Sequence, residues 1–444
     1  MRKRDGLVQS PYAWNDGVLQ IKGRDTGSHS PNGRHDPGWI VENASIGSRK
    51  LRLNSVAGLA PGQWVRVIQS DVNGTLASNL YGTNSEKMEA MKREGIECEP
   101  ECATDIDNER DLLRWGSRIL AIESHDVVVL QRSLPFDVST TWKARLLPIP
   151  SSMAKENGIK DLSIEFKWER ARPHHHEVGY NAILIENAFN TYIQNVHVVN
   201  VEQGFLLKNA QLATLDRVKV RTTRSRKSSS ISWDGHIGIG LYDCSDVEVS
   251  NFDIRGEWLH DISLRGTTLS AIHSGRGDNL RLDTHRSAPY AILFSNIYLG
   301  KGSRPFGTGG YLSRGLPVAR FTTYYNLRRA NWSPIDMPGS TVAGECTWGK
   351  KVNYIGAFKG KKCPGYHIES YPMGSLIPED IYSSMVDRKA HIRAIYQGGV
   401  VPYSEQKLVR NALQSAAIGE DSSQLPSSAA GDGSYPLIPE PEFY

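Results

Sequence analysis

Four short stretches of the chain lie on top of one another: Ala-Ile-Leu-Ile-Glu-Asn-Ala (182–188), Gly-Phe-Leu-Leu-Lys-Asn-Ala (204–210), Gly-Ile-Gly-Leu-Tyr-Asp-Cys (238–244) and Asp-Ile-Ser-Leu-Arg-Gly-Thr (261–267). Ile185 to Leu207 is 22 residues, Leu207 to Leu241 is 34, and Leu241 to Leu264 is 23. A second element, ending at Val198, Val220 and Ile254, repeats at 22 and then 34. Both elements therefore absorb one 12-residue insertion together. A period near 22 built only from strands specifies a stacked coil. The expectation is an all-β chain, a right-handed parallel β-helix solenoid with a small inserted antiparallel β module and a C-terminal capping helix.

Side chains alternate between faces along each strand. Ile183, Phe205, Ile239 and Ile262 should stack inward, as should Ile185, Leu207, Leu241 and Leu264. Asn187, Asn209 and Asp243 then fall at one corner, where short polar side chains satisfy turn backbone. The organisation read from these patterns is residues 1–58 as irregular N-terminal β coils and 59–147 as the inserted β module. That module carries a loop excursion with a helix around 85–93. The parallel β-helix follows over 148–370, a helical cap over 371–417 and a disordered Ser/Pro/Gly-rich tail over 418–444.

Fifty-two Lys and Arg against 48 Asp and Glu give a net charge of +4, with the positive side chains gathered between 208 and 329. That bias suits an acidic polysaccharide as partner. Nucleic acid is not expected, because the basic run 221–227 lacks interleaved aromatic residues. No apolar run is long enough for a membrane span. The opening Met-Arg-Lys-Arg-Asp-Gly has no apolar h-region, so no signal peptide is expected within this numbering. Of five cysteines, Cys98 with Cys102 and Cys346 with Cys363 can each close a local disulfide, leaving Cys244. Sequons at Asn43, Asn73 and Asn331 fit a secreted glycoprotein. An extracellular monomer is the expectation.

The segment from Gly277 to Arg304, with its His285-Arg286-Ser-Ala-Pro289 and Gly300-Lys-Gly-Ser-Arg304, resembles uncharacterised microbial proteins of the pectate-lyase superfamily. Trp64-Val-Arg-Val, Ser133-Leu-Pro-Phe-Asp-Val and a helix over Pro378–Asp387 are similar to the same family. The likeness implies a parallel β-helix and carbohydrate-directed activity. It does not choose among lyases, hydrolases, epimerases and adhesins. The paired histidine frequent before the family's arginine reads Thr284-His285 here.

Counting back from the aligned positions 204, 238 and 261 brings Asp234 beside Glu257 and puts His236 near His260, because adjacent rungs lie about 4.8 Å apart. Outward along the following strand come Glu186, Lys208, Tyr242 and Arg265. A lyase acting on a uronate needs a cation to neutralise the carboxylate, a base to take the neighbouring proton and an acid for the leaving oxygen. Arg265, Lys208 and Arg286 suit the first task, His236 or His260 the second, and Tyr242 or the other histidine the third. His285 belongs to the most family-specific pair. Trp233 and Trp258 are candidates to stack on sugar rings, and Arg304 to hold the substrate. Asp234 and Glu257 would serve a hydrolase instead. They would alternatively hold Ca²⁺, if any cofactor is required. His174-His175-His176 reads as an exposed loop rather than a metal tract, since neighbours on a strand point to opposite faces. The favoured reading is an enzyme that cleaves an acidic glycan, uronate or sulfated, by β-elimination. The competing ones are a glycoside hydrolase and a non-catalytic glycan-binding or cell-wall β-helix.

Overall fold

The computed structural model describes residues 17–25, 38–72, 74–82, 111–310, 314–339, 341–342, 345–360 and 363–396, with two short paired strands at Lys3–Arg4 and Leu7–Val8. The helix expected near 85–93, Cys98, Cys102, Asn73 and the tail from 418 lie outside the described residues.

The chain is the expected all-β parallel β-helix. One face is a parallel sheet whose successive strands are β1 (Leu19–Lys22), β2 (Asn181–Phe189), β3 (Gln203–Gln211), β4 (Gly235–Tyr242), β5 (Trp258–Arg265), β6 (Leu282–Thr284) and β7 (Phe306–Thr308). Registers such as Ile185↔Leu207, Leu207↔Leu241 and Leu241↔Leu264 match the repeat. The next rung does not keep the interval: Ile262 faces Leu282, only 20 residues on. A second, twelve-stranded parallel sheet carries Ile193↔Leu215↔Val249↔Ile272 and Val198↔Val220↔Ile254.

What holds the coil is the stack between these sheets. Ile185, Leu207, Leu241, Leu264, Val198, Val220 and Ile254 are all fully buried in one cluster. Truncating one such leucine to alanine costs about 2–5 kcal/mol. Later coils replace the aliphatic stack with rings, Phe294 on Tyr324 at 5.1 Å and Tyr324 on Tyr354 at 5.2 Å. Asn187, Asn209 and Asp243 turn the corner in left-handed conformations, at φ of 51°, 48° and 56°. Asn209 Nδ2 donates to Asn187 Oδ1 at 2.8 Å, so these two rungs satisfy one another.

An antiparallel five-stranded sheet orders Lys50–Arg52, Val127–Leu130, Asp111–Ile122, Trp64–Ser70 and Arg145–Pro148. It begins before residue 59, whereas Leu19–Lys22 joins the helix sheet by pairing with β2. The module docks on the asparagine corner. The fully buried Arg66 pairs with Asp25, and Arg114 Nη1 donates to Asn209 Oδ1 at 2.9 Å. Its helix α1 (Thr75–Tyr81) buries Leu76, Leu80 and Tyr81. Cys346 and Cys363 form a disulfide, and Cys244 is a buried free thiol. Residues through Asp380 make one compact unit, and the helix α2 (Ile381–Tyr396) belongs to a second. Among the described residues, no helix is long and apolar enough to cross a membrane.

Candidate functional site

The outward face of β4, β5 and β6 gathers four histidine rings. A break in alternation turns side chains outward here: Gly238 and Ile239 both face the core, where a Cβ on Gly238 would meet Ile254, while Ile237 joins Leu184, Leu206 and Tyr242 in a separate cluster outside it. Opposite Ile237 on the next strand stands His260. It is therefore turned out beside Ser263 and Arg265, although Ile262 and Leu264 point in. His236 and His260 have ring centroids 5.5 Å apart, and His260 and His285 4.6 Å.

The fourth ring comes from the loop before β2. Glu202, buried one rung before His236, accepts from the N–H groups of Val178, Gly179 and Tyr180 at 3.1, 2.7 and 2.9 Å. A turn closed by His176 N–H to Pro173 O then lays His174 on the cluster. His174 Nε2 stands 3.1 Å from His236 Nε2, and His175 stacks on His174 at 3.7 Å between centroids. The loop reading of this tract holds, but the loop folds back onto the sheet and leaves His174 half-buried.

Two carboxylates stand behind the rings. Asp283, in register with Ser263 on β6, hydrogen-bonds His260 Nδ1. Glu177, 3% exposed, puts Oε1 3.0 Å from His236 Nδ1, out of line for a hydrogen bond. His285 Nδ1 lies 3.0 Å from Ser263 Oγ, which lies 3.2 Å from Tyr242 OH. Burial pushes Glu177 up to about 7. Burial and the neighbouring rings push His174 down to about 2. Burial also takes His285 to about 4 against the pull of Asp283, and pushes Tyr242 up to about 12, keeping its hydroxyl a donor. Asp283 is held below the usual range, burial being outweighed by its bond to His260.

The remaining candidates separate into rim, support and core. Arg265 is half-exposed, lies 5.0 Å over the Tyr242 ring and pairs with Asp243 at 2.9 Å. Lys208 is part-buried one rung before Tyr242, and Trp233 is part-buried at the end of the insertion. Trp258 is fully buried in the core, so it is no platform for a sugar. Arg304 is part-buried and donates to Trp258 O at 2.9 Å and to buried Asp261 at 2.7 Å. Arg286 is buried and donates to Gly315 O rather than facing the histidines or Asp283.

Asp234 and Glu257 do meet on adjacent rungs, yet their oxygens are occupied by protein donors. Asp234 Oδ1 accepts from Ser225 Oγ and Arg226 N, and Oδ2 from Glu257 N. Glu257 takes Lys227 Nζ at 2.5 Å and Asn279 Nδ2 at 2.7 Å. The pair clamps the 12-residue insertion instead of presenting two bare carboxylates to a cation or a glycosidic bond. Buried Arg226 completes the clamp through Glu169 O and Val201 O.

Asp283, Glu177 and Ser263 are the site residues that sequence reasoning missed. Asp283 was hidden by the shortened interval to β6. Its only signal was its place two residues before His285 in the family-like segment.

His285 itself is set by a strained turn. Arg286, Ser287 and Ala288 follow it with φ of 64°, 60° and 53°, a run that L-residues adopt only when held. The holder is Tyr81 of α1, whose hydroxyl accepts from Ala288 N at 2.7 Å and donates to Arg314 O at 3.1 Å. Gly300 at φ 67° leaves no room for a Cβ, which would fall 2.2 Å from Asp278 O. The glycine of the family-like segment is thus a backbone requirement.

No family model matches the chain, and no curated protein matches it. Among solved structures, the tailspike protein gp49 from Pseudomonas phage LKA1 aligns with TM-score 0.41 and 11% identity over 80% of this chain and 60% of that one. The Pseudomonas phage phi297 tailspike gp61 aligns with TM-score 0.41 and 13% identity over 75% and 49%. The gp54 tailspike of Acinetobacter baumannii bacteriophage AP22, solved in complex with A. baumannii capsular saccharide, gives 0.28 and 10% over 77% and 65%. The chain spans from about half to about two-thirds of the length of these proteins. At these scores the superpositions are loose, and the fold assignment rests on the strand registers.

Proposed function

We propose that the protein is an extracellular polysaccharide-active β-helix that cleaves an acidic glycan by β-elimination at the histidine row of β4–β6. The observation that carries the reading is the convergence of His236, His260 and His285 with Asp283 behind them and the cationic Arg265 and Lys208 on the same outward face. In this reading Arg265, with Lys208 beside it, meets the uronate carboxylate and lowers the cost of the carbanion-like transition state. His285, the most exposed of these three rings, takes the proton next to that carboxylate. The C–O bond to the leaving sugar then breaks, a C=C bond forms in the uronate ring, and the leaving oxygen is protonated by solvent or Tyr242. The occupied oxygens of Asp234 and Glu257 weigh against the paired-carboxylate hydrolase.

The test is incubation with a panel of acidic glycans while following absorbance of the unsaturated uronate. Growth of that absorbance, lost in His285→Ala, is the expected result. Reducing ends without absorbance would replace this reading with hydrolysis. Saturable binding without any product would replace it with a glycan-binding role.

A further inference from the structure

The histidine tract at 174–176 is not used by the elimination chemistry, yet the fold spends a buried glutamate, Glu202, on bringing His174 to the cluster. One ring nitrogen from each of His174, His236 and His260 lies within 4.8 Å of the others. We propose that these three histidines bind a divalent first-row transition metal ion. The proposal concerns the same site as the elimination reading but does not rest on it, because a binding protein could hold the ion equally well.

Three observations carry it. The first is distance. His174 Nε2 and His236 Nε2 are 3.1 Å apart, and two nitrogens bound at about 2.0–2.1 Å to one tetrahedral ion stand about 3.3–3.4 Å apart. The second is the direction of the other nitrogens. His236 turns Nδ1 to Glu177 and His260 turns Nδ1 to Asp283. A carboxylate behind the far nitrogen is the arrangement that fixes the tautomer and orients a metal-binding imidazole. For His260, whose Nδ1 is hydrogen-bonded to Asp283, this leaves Nε2 with a lone pair to give, while Glu177 Oε1 stands 3.0 Å from His236 Nδ1 without lining up for a hydrogen bond.

The third observation is charge. Glu177 and Asp283 are buried at 3% and 1% exposure, and neither oxygen of Glu177 has an aligned hydrogen-bond donor. Buried carboxylates are expensive without a compensating cation. Asp283 already has Arg281 Nε at 3.7 Å, so the need falls on Glu177, for which an ion on the histidines, its charge relayed through His236, supplies a cation. Imidazole donors suit zinc, copper, iron or nickel rather than calcium or magnesium. Three protein ligands also leave a coordination position for water or a substrate oxygen.

A second overlapping set, His260 with Asp283 and His285, also has one ligand atom from each within 4.8 Å of the others. It fits less well, because Asp283 already holds His260 Nδ1 and His285 Nδ1 faces Ser263.

The experiment uses the full chain, freed of metal with a chelator and titrated with Zn²⁺ in equilibrium dialysis and with Co²⁺ by visible absorption. One equivalent should bind, with the intense absorption of a low-coordinate Co²⁺ site. His174→Ala and His236→Ala should each abolish it, whereas His285→Ala should retain it. Asp283→Asn should weaken binding about 10–100-fold. His236 is fully buried, so near-ultraviolet dichroism checks that its variant is folded. If it is not, His174→Ala on the half-buried loop decides. Absence of stoichiometric binding, or binding that survives His174→Ala, overturns the proposal, as does loss in His285→Ala with retention in His174→Ala. Neither readout uses a glycan, so failure here and failure of the elimination reading are separate results.

Discussion

Two histidine-carboxylate groups sit on the two sheets of this coil, and they are built for opposite ends. On the twelve-stranded sheet His273 has both nitrogens taken, Nδ1 by Asp380 at 2.8 Å and Nε2 by Glu248 at 3.2 Å. Burial lowers its pKa, but the two carboxylates outweigh that and carry it up to about 9. Ser274 and Ser295 complete the shell around Asp380. The ring is a fixed cation that ties residue 380 to the coil. On the site sheet each of His236 and His260 faces a carboxylate through one nitrogen, and the other side meets more histidine. In the proposed function, what separates the structural histidine from the reactive row is that His273 faces a carboxylate through both nitrogens, whereas His236 and His260 each face one.

The largest effect that would test this contrast is on turnover. His285→Ala should lower product formation by about 10²–10⁴-fold, the usual contribution of a positioned acid or base. Its denaturation midpoint should stay near that of the parent. His273→Ala should do the reverse, with full activity in the folded protein and a lower midpoint. Equal loss of activity in both would erase the distinction.

Next in size is the anchor itself. Asp380→Ala leaves His273 and two serine hydroxyls without their acceptor, and should cost about 3–5 kcal/mol in urea unfolding. The same contact has a pH signature with a definite sign. A folded-state pKa raised from 6.5 to about 9 gives stability that is fully present below pH 6.5 and is lost as pH climbs through 9. The gap in stability between the parent and His273→Gln should therefore be wide at pH 6 and narrow at pH 9.5. A gap that widens instead would mean His273 is uncharged in the native protein.

The smallest effect sharpens how the reactive group is positioned. Tyr81→Phe strands the Ala288 N–H and should cost about 1–3 kcal/mol. It should also slow turnover several-fold without changing which glycan is bound. A variant with parent-like turnover would show that the strained turn holds His285 unaided.

The stack was legible in the sequence because apolar residues at a fixed interval have one solution, and 185, 207, 241 and 264 take it. The corner asparagines and the 346–363 disulfide were equally readable. The site was legible in outline: His236, His260, His285 and Arg265 do share a face. Its details were not, for three physical reasons. The break in alternation at Gly238 and Asp261 changes which side chains look outward, and strand periodicity cannot show it. The short interval to Leu282 hides the register that sets Asp283 beside Ser263. And His174 is delivered by a loop whose path depends on Glu202, a contact that no local pattern encodes. Trp258 reads as a substrate contact although the coil closes over it, which side-chain type alone cannot show.

The hydroxyl of Tyr81 reaches a residue 207 positions further along the chain. Contacts of that separation close large loops and pay their entropy before they return anything. The coil can zip up rung by rung from local pairings, but the turn behind His285 cannot settle until the module's helix has folded and docked. Maturation of the proposed reactive centre should therefore trail formation of the solenoid. Removing the module would leave a chain that still stacks its rungs and has lost the means to arm them.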